Sequence, residues 1–493
     1  MNREEITKKI VSGFAWESGT KLVIQLTTWA TTILVARILS PEDYGIVAIS
    51  GIFTGVLALI SDMGFMTALI NKKSVSLDEM DQAFWASAMV SVLLLILLYI
   101  AAPYIAGFYG IPVLTDILRV SALVLPIGVL KIIPSVIAMR EMNFRYRALV
   151  DMVGQFVTAA VSVLLAVNGF GVWTLVLSVL AGQAAVVAGY VPLMKRTPRL
   201  RVRIHEMQDI LSYGSHLMLA QILEFFTLRA DVFIIGLFLP HNQLGYYSMG
   251  YQLATIPLDK VGALFNRITF PSLSRIKEDV ELARSLFIGM HKYLVFVTFP
   301  MLAGLMAVAD DLIVLLLTDK WAPMTYIIEF LCVLNIVRVS GMIMPYVIAG
   351  MGDSGYVFKF HLVSAIALPA GFFVGVQFGM TGVLIAWLVV YPYLYYRILS
   401  ELARKMQFSL YHFLKSARSS AYSTLLMLAV VYLVRFGLPD EIPRYLRLVS
   451  MIIAGGVSYI ASFYFLFPSD LVSIRERMRL IRRQKPAQGG AGA

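Results

Sequence analysis

Four basic residues lie inside long apolar runs of the chain: Lys21, Lys131, Arg229 and Arg338. A Lys ammonium or an Arg guanidinium that faces a polar cavity can hold a phosphate or a carboxylate through charge-assisted hydrogen bonds. In hydrocarbon the same charge costs at least ~2.5–3.5 kcal/mol. Each of these residues therefore requires an explanation, and we consider binding of an anionic substrate first. A buried internal ion pair is the alternative for Lys131, Arg229 and Arg338.

Four carboxylates lie in the same apolar runs: Glu17, Asp62, Glu224 and Asp231. Carboxyl groups in such surroundings can carry protons or couple transport to an ion, and they can also balance nearby cations. The sequence does not rank these two roles. Glu17 and Lys21 are four residues apart on one helical face, so mutual neutralisation is an equal alternative for that pair.

The composition indicates that these charges lie within a membrane. Hydrophobic residues make up 59% of the chain and charged residues 14%, whereas soluble domains have about a quarter charged. The apolar runs are continuous, without the two-residue alternation of a membrane barrel. The sequence therefore predicts an all-α polytopic membrane protein with about fourteen transmembrane helices.

The distribution of Lys and Arg predicts the orientation of this protein. One alternate set of segments between the helices, including both termini, carries 29 Lys and Arg, and the opposite set carries four. Because basic residues are retained on the cytoplasmic side, both termini are predicted to be cytoplasmic. The net charge of +11 is then explained by topology and by attraction to anionic membrane lipids, and no nucleic-acid partner is expected.

Short loops exclude several classes of protein. No predicted outer loop exceeds about a dozen residues, which leaves no room for a soluble catalytic domain. The sequence contains no phosphate-binding GxxxxGK[ST] loop, no His/Cys metal cluster and no nucleophile elbow. We therefore expect a protein that is not an enzyme and that needs no metal or cofactor. Any uphill work would draw on an H+ or Na+ gradient, the membrane potential or the substrate.

An internal repeat predicts the domain organisation. The stretch ARILSPEDYG, which ends at Gly45, recurs as GLFLPHNQLG, which ends at Gly245, and PSVIA at Pro134 recurs as PYVIA at Pro345. These matches predict two pseudo-symmetric six-helix lobes, residues 1–205 and 206–405, related by an axis along the membrane normal. Two additional transmembrane helices (406–470) and a basic cytoplasmic tail (471–493) follow. Two such lobes predict a central cavity and transport by alternating access.

The opening segment GFAWESGTKLVIQLTTWATTILVARILSPEDYGIVAIS resembles the start of polysaccharide transporters of the Wzx type. These belong to a superfamily that also contains multidrug and toxin extruders and lipid II flippases. The resemblance implies a flippase that translocates an undecaprenyl-diphosphate-linked oligosaccharide across the bacterial inner membrane. It also implies later synthesis of exopolysaccharide, capsule or O-antigen, with a polymerase and export machinery as partners.

Three alternatives to this function remain open. A lipid II flippase or a cation-coupled multidrug extruder would share the architecture, although an extruder of cationic drugs would favour an acidic cavity. A multispanning polysaccharide polymerase or ligase, an enzyme, would need a large periplasmic loop. Aromatic residues do not decide among these, because membrane proteins place Tyr and Trp at both interfaces. The stretch YPYLYYR, which begins at Tyr391, is predicted to be such an interfacial belt.

Overall fold

The computed structural model describes residues 3–62, 64–72, 75–141, 143–194, 197–200, 208–275, 279–439, 441–468 and 470. Throughout these residues the backbone forms helices joined by short turns, and it contains no β-strand. The predicted all-α fold class is therefore confirmed. The predicted basic tail, residues 471–493, lies outside the described residues.

The first nine helices precede a break in the described chain at 201–207. They are α1 (Arg3–Ile38), α2 (Pro41–Asp62), α3 (Phe65–Asn71), α4 (Leu77–Tyr109), α5 (Leu114–Ser121), α6 (Val124–Leu130), α7 (Ile132–Arg140), α8 (Phe144–Val167) and α9 (Trp173–Tyr190).

Ten further helices follow that break. They are α10 (Gln208–Phe238), α11 (His241–Arg275), α12 (Val280–Leu317), α13 (Thr325–Gly341), α14 (Met344–Gly350), α15 (Ser354–Gly375), α16 (Gly379–Lys405), α17 (Leu410–Ser416), α18 (Arg418–Gly437) and α19 (Arg444–Leu466).

The lengths of these helices agree with a protein that crosses a membrane many times. Ten segments of the described residues are long and apolar enough to span a bilayer, and one of them, Ser354–Lys405, contains both α15 and α16. Helices α1, α10 and α11 have 36, 31 and 35 residues, more than the ~20 that a transmembrane helix needs. A polytopic membrane protein is confirmed, and the count of about fourteen spans stays a prediction.

The described chain divides into two compact units. Of the described residues, those within 1–248 and 364–383 form the first unit, and those within 249–363 and 384–493 form the second. The predicted lobe bounds, 1–205 and 206–405, stay a prediction. We describe each unit by itself.

The corner that recurs in the sequence forms the same local structure twice. At the end of α1 the amide of Leu39 donates to the carbonyl of Val35, and at the end of α10 the amide of Leu239 donates to the carbonyl of Ile235, both at 2.9 Å. The next helix begins two residues later in each case, at the start of α2 and of α11. The repeat found in the amino-acid sequence is therefore also a repeat of backbone geometry.

Local side chains fix the start of α2. Pro41 occupies the first helical position, where its missing amide leaves no hydrogen bond unmade. The Ser40 amide donates to Asp43 Oδ2 at 2.8 Å, and the Asp43 amide donates back to Ser40 Oγ at 3.3 Å. This reciprocal arrangement satisfies two amides that would otherwise lack partners at the helix end.

Helices α2 and α11 meet within the first unit through two glycines. A Cβ atom at Gly45 would overlap the carbonyl oxygen of His241, and one at Gly245 would overlap the carbonyl oxygen of Pro41. Each glycine thus lies against the first residue of the other helix, so the contact is reciprocal. Residues without side chains let membrane helices approach this closely, and any larger residue would push the two backbones apart.

The fourth helix of each predicted lobe is interrupted at an equivalent place. Helix α6 gives way to α7 at Lys131, and α13 gives way to α14 just after Gly341. Pro134 and Pro345 follow these interruptions at the sequence offset of 211. Proline lacks the amide that would bond to the carbonyl four residues earlier, and its ring clashes with that carbonyl. The two prolines therefore account for both interruptions.

In the second unit, the two C-terminal transmembrane helices pack on α12. An apolar cluster joins them and includes Ala307 of α12, Met427 of α18 and Met451 and Phe463 of α19. Where α12 approaches its C-terminus, Arg447 forms two hydrogen bonds to the carboxylate of Asp311, with Nε 3.1 Å from Oδ2. Asp311 is only 1% exposed.

Further polar contacts fix both ends of this three-helix group. Near the Asp311 end, an Arg435 guanidinium nitrogen lies 3.4 Å from Asp310 Oδ2. Near the other end, Lys292 Nζ lies 3.3 Å from Asp470 Oδ1, and Ser419 donates to the same carboxylate. Helices α18 and α19 are therefore held to α12 along its length.

We predict that the glycine contact contributes measurably to stability. Gly45→Ala or Gly245→Ala should each lower stability by about 1–3 kcal/mol, the usual cost of overpacking. The measurement is the midpoint of thermal unfolding of the purified protein in detergent. Gly51→Ala is the matched control in α2, because no heavy atom lies within 4 Å of a Cβ built there. Equal midpoints for Gly45→Ala and Gly51→Ala would show that the contact is not tight.

We also predict that the Asp311–Arg447 pair depends on both of its partners. Asp311→Asn leaves a half-buried guanidinium without its carboxylate, and removal of one buried partner costs about 3–5 kcal/mol. The double substitution Asp311→Leu/Arg447→Met should recover most of that loss, since neither charge then remains. The exposed pair Arg444–Asp319, 3.9 Å apart, provides the control, and Arg444→Ala should change the unfolding midpoint little. A double variant as unstable as the single variant would contradict this account.

Candidate functional site

Lys131 lies at the interruption between α6 and α7 and is half-buried. Its ammonium donates a hydrogen bond of 3.1 Å to Oε1 of Gln183, which belongs to α9. The regular α-helix is broken at Lys131. The amide oxygen of Gln183 orients the ammonium and carries no charge of its own. Within the described part of the chain, Lys131 forms no salt bridge. The internal ion pair considered as an alternative stays a prediction, since the carboxylate of Asp62 interacts electrostatically with Lys131.

Asp62 lies close enough to Lys131 for a Coulombic interaction. It is the last residue of α2, half-buried, and its carboxylate accepts a hydrogen bond from the backbone amide of Met66 in α3. Lys131 and Asp62 were both selected from the sequence, from different helices, and the structure brings them into one polar region of the first unit. Each lies where a helix stops.

Arg338 of α13 lies in the second unit among three aromatic rings. Its guanidinium carbon lies 5.3 Å from the ring centroid of Trp387, 5.7 Å from that of Tyr251 and 5.8 Å from that of Tyr391. Distances below about 6 Å are those of cation–π contacts. Trp387 is fully buried, and Arg338 itself is half-buried. The rings therefore form a rigid support behind a partly accessible cation.

Hydrogen bonds complete the position of Arg338. One guanidinium nitrogen donates to the hydroxyl of Tyr251 at 3.1 Å and to Oδ1 of Asn335 at 3.4 Å. The amide of buried Asn335 donates in turn to the carbonyl of Ala254 at 2.9 Å. This chain fixes which edge of the guanidinium points toward its neighbours. A cation held in one orientation over aromatic faces suits a polar ligand that carries both hydroxyl and acidic groups.

The two cations occupy related places in the two repeats. At the offset of 211 that relates Pro134 to Pro345, Lys131 corresponds to position 342, and Arg338 lies four residues before that position. Four residues are about one helical turn. Each repeat therefore carries one half-buried cation at or within a turn of the interruption in its fourth helix.

Helix α10 carries three further predicted site residues, and they differ in exposure. Glu224 and Arg229 are exposed, whereas Asp231 is 1% exposed. The carboxylate of Asp231 accepts a short hydrogen bond from the hydroxyl of Tyr247 in α11, and it also accepts from the amide of Val232. Asp231 therefore lies in the packing between α10 and α11, apart from the exposed positions of Glu224 and Arg229.

The charged pair predicted in α1 is described in part. Lys21 is exposed. The side chain of Glu17 lies outside the described residues, so mutual neutralisation of this pair stays a prediction.

Several residues of these two regions were missed from the sequence. Tyr391 was assigned to an interfacial belt, but it contacts Arg338, so that assignment was incomplete. Trp387 and Tyr391 are four residues apart on one face of α16. Their spacing could have identified an aromatic face in the membrane, but nothing local indicated that it meets α13. Among the described residues, no three His, Cys, Asp or Glu side chains come together as metal ligands.

Comparison with known proteins supplies the family context. Residues 34–326 match a protein family described as polysaccharide biosynthesis protein. The succinoglycan biosynthesis transport protein ExoT of Rhizobium meliloti (strain 1021) is 23% identical over 99% of this chain and 98% of its own length. The teichuronic acid biosynthesis protein TuaB of Bacillus subtilis (strain 168) is 24% identical over 96% of this chain and 99% of its own length.

A solved structure supports the fold independently. The lipid II flippase MurJ in an inward closed conformation superposes with a TM-score of 0.73, at 16% identity, over 92% of this chain and 99% of its own. At that identity the likeness concerns the fold alone. It agrees with a polytopic helical fold.

Proposed function

Because the chain belongs to the polysaccharide biosynthesis protein family, we propose that it is a flippase for lipid-linked oligosaccharides. The cargo is an oligosaccharide repeat unit on undecaprenyl diphosphate, and it moves from the cytoplasmic to the periplasmic side of the bacterial inner membrane. Both termini are cytoplasmic in this proposal, and a polymerase and export machinery then use the cargo for exopolysaccharide, capsule or O-antigen. The protein acts as a transporter and not as an enzyme.

The observation that carries this proposal is the presence of one oriented, half-buried cation in the fourth helix of each repeat. Lys131 donates to Gln183, and Arg338 donates to Tyr251. A charge in a membrane-spanning segment is costly, and the hydrogen bonds to Gln183 and Tyr251 orient the two cations. Such cations suit a diphosphate or an acidic sugar.

The surroundings of Arg338 fit the saccharide part of such a cargo. Aromatic side chains combine a large apolar face with a polar edge in Tyr and Trp. Sugars present both apolar C–H faces and hydroxyl groups. The half-buried rings of Tyr251 and Tyr391 suit the first and their hydroxyls the second, while buried Trp387 supports Arg338 from behind. In this proposal Lys131 is a binding residue for an anionic linkage, and, separately, Arg338 is a binding residue for a saccharide. Arg229 and Lys21, both exposed, assist at the edges of the path.

Transport by alternating access follows from the parallel repeat. The glycine contact between α2 and α11 and the two proline-linked helix interruptions provide places where helices can separate or bend. Coupling to H+ or Na+ uses the carboxylates of the membrane segments. Asp62 and Asp231 are favoured because each lies beside a defined partner, Lys131 and Tyr247 respectively. Glu17 and Glu224 are the remaining candidates.

We predict that a strain lacking this protein accumulates lipid-linked repeat units on the cytoplasmic leaflet. Polymer at the cell surface should fall at the same time, because the repeat units do not reach the periplasm. The measurement combines lipid extraction and analysis of linked sugars with quantification of surface polysaccharide. Lipid II export and resistance to cationic drugs should be unchanged. Normal polymer with altered drug tolerance would identify an extruder instead, and arrested cell-wall synthesis would identify a lipid II flippase.

We predict that Lys131→Ala and Arg338→Ala each lower polysaccharide export by about tenfold or more. Loss of one hydrogen bond from a charged group costs about 1.5–3 kcal/mol in binding. Arg338→Lys should recover export only partly, because an ammonium lacks the planar face that lies over the rings. The amount of each variant in the membrane is measured alongside export.

Arg404→Ala is the matched control for these substitutions. Arg404 is an exposed cation of the second unit whose guanidinium lies 2.7 Å from Glu401 Oε1. This variant should export normally. Normal export by both Lys131→Ala and Arg338→Ala would refute the assignment of these residues.

A further inference from the structure

An open cavity of about 380 Å³ lies where α17 meets α18 in the second unit. Lys415 and Arg418 line it from either side of Ala417, the residue that joins the two helices. Both belong to the segment 397–418, which the Lys and Arg distribution predicts to be cytoplasmic. That prediction places the cavity at the level where the inner leaflet meets water.

The two cations of this cavity differ from others of the same unit in their partners. Lys292, Arg404 and Lys405 each form a salt bridge with a carboxylate. In the part of the chain that the structure describes, neither Lys415 nor Arg418 forms one, and both are exposed. These two exposed cations, three residues apart, are therefore accessible to an external anion.

The rest of the lining is aromatic and apolar. Tyr411 and Tyr422 flank the cations and are 69% and 58% exposed. Tyr at this level of a bilayer places its ring among the lipid headgroups. Toward the C-terminus of α18, exposed apolar side chains continue along one side of the helix, from Leu425 through Leu433 to Phe436. A ligand that fits this surface has an anionic head and a hydrocarbon chain.

We propose that this cavity, which we call the α17–α18 groove, binds the headgroup of an anionic phospholipid of the inner leaflet. The phosphodiester lies between Lys415 and Arg418, and one acyl chain follows the exposed apolar side of α18. Free phosphate would use the cations but not the apolar side chains, and a zwitterionic lipid would use the apolar side chains without satisfying the charge. The groove does not involve Lys131 or Arg338, so this inference stands apart from the proposed transport cycle.

The test measures lipid binding to the purified full-length protein by native mass spectrometry. Phosphatidylglycerol and phosphatidylcholine with identical acyl chains serve as probes, titrated separately. Each basic residue near an anionic membrane surface contributes about fivefold in affinity. The variant Lys415→Ala/Arg418→Ala should therefore bind phosphatidylglycerol about 30-fold more weakly, with phosphatidylcholine unaffected. Lys415→Arg/Arg418→Lys should bind like the unaltered protein.

The matched control removes the same charge elsewhere on the same predicted side. Lys359→Ala/Arg404→Ala deletes two exposed cations outside the groove and should leave phosphatidylglycerol binding unchanged. Equal weakening by the groove and control variants would reduce the effect to overall charge and overturn the proposal. Phosphatidylcholine binding as strong as phosphatidylglycerol binding would also overturn it. So would full competition by inorganic phosphate, or preference for undecaprenyl diphosphate over phosphatidylglycerol.

Discussion

The reciprocal backbone contact at Gly45 and Gly245 is the constraint on which the first unit depends. Lipid is as apolar as Leu, so no hydrophobic force drives membrane helices together, and close packing must do so instead. At this contact each helix places its first carbonyl where the other has no side chain. The two copies of one sequence corner thereby become partners in space. The motif that is repeated in the sequence thus also forms the contact between α2 and α11.

Much of the fold could be predicted because the membrane permits few choices. Continuous apolar runs must be helices there, and the repeated corner marked the turns that precede α2 and α11. Helix interruptions were less visible, since Pro134 and Pro345 signal a bend but not how far it extends. The packing of α18 and α19 on α12 could not be predicted. It depends on contacts such as Asp311–Arg447 that are 136 residues apart in the chain.

Residues of the candidate site could be predicted only where the free-energy cost of a charge in the membrane distinguished them from their neighbours. Lys131 and Arg338 were chosen because a charge in a membrane is expensive, and both proved to be half-buried with defined partners. Their aromatic and amide neighbours were not chosen, because such residues are ordinary in membrane proteins. In α10, charge alone grouped Arg229 with Asp231. Two residues apart, they face different directions on a helix, and the structure places one exposed and the other buried.

The attachment of α18 and α19 to α12 has a mechanical consequence. Because polar contacts hold both ends of the group and an apolar cluster fills its middle, any tilt of α12 is shared by all three helices. The tilting body is then wider than a single helix and presents more hydrocarbon-facing area. Membrane proteins respond to bilayer thickness through such areas. A change in bilayer thickness therefore changes the free energy of tilting α12 together with α18 and α19, and not that of α12 alone.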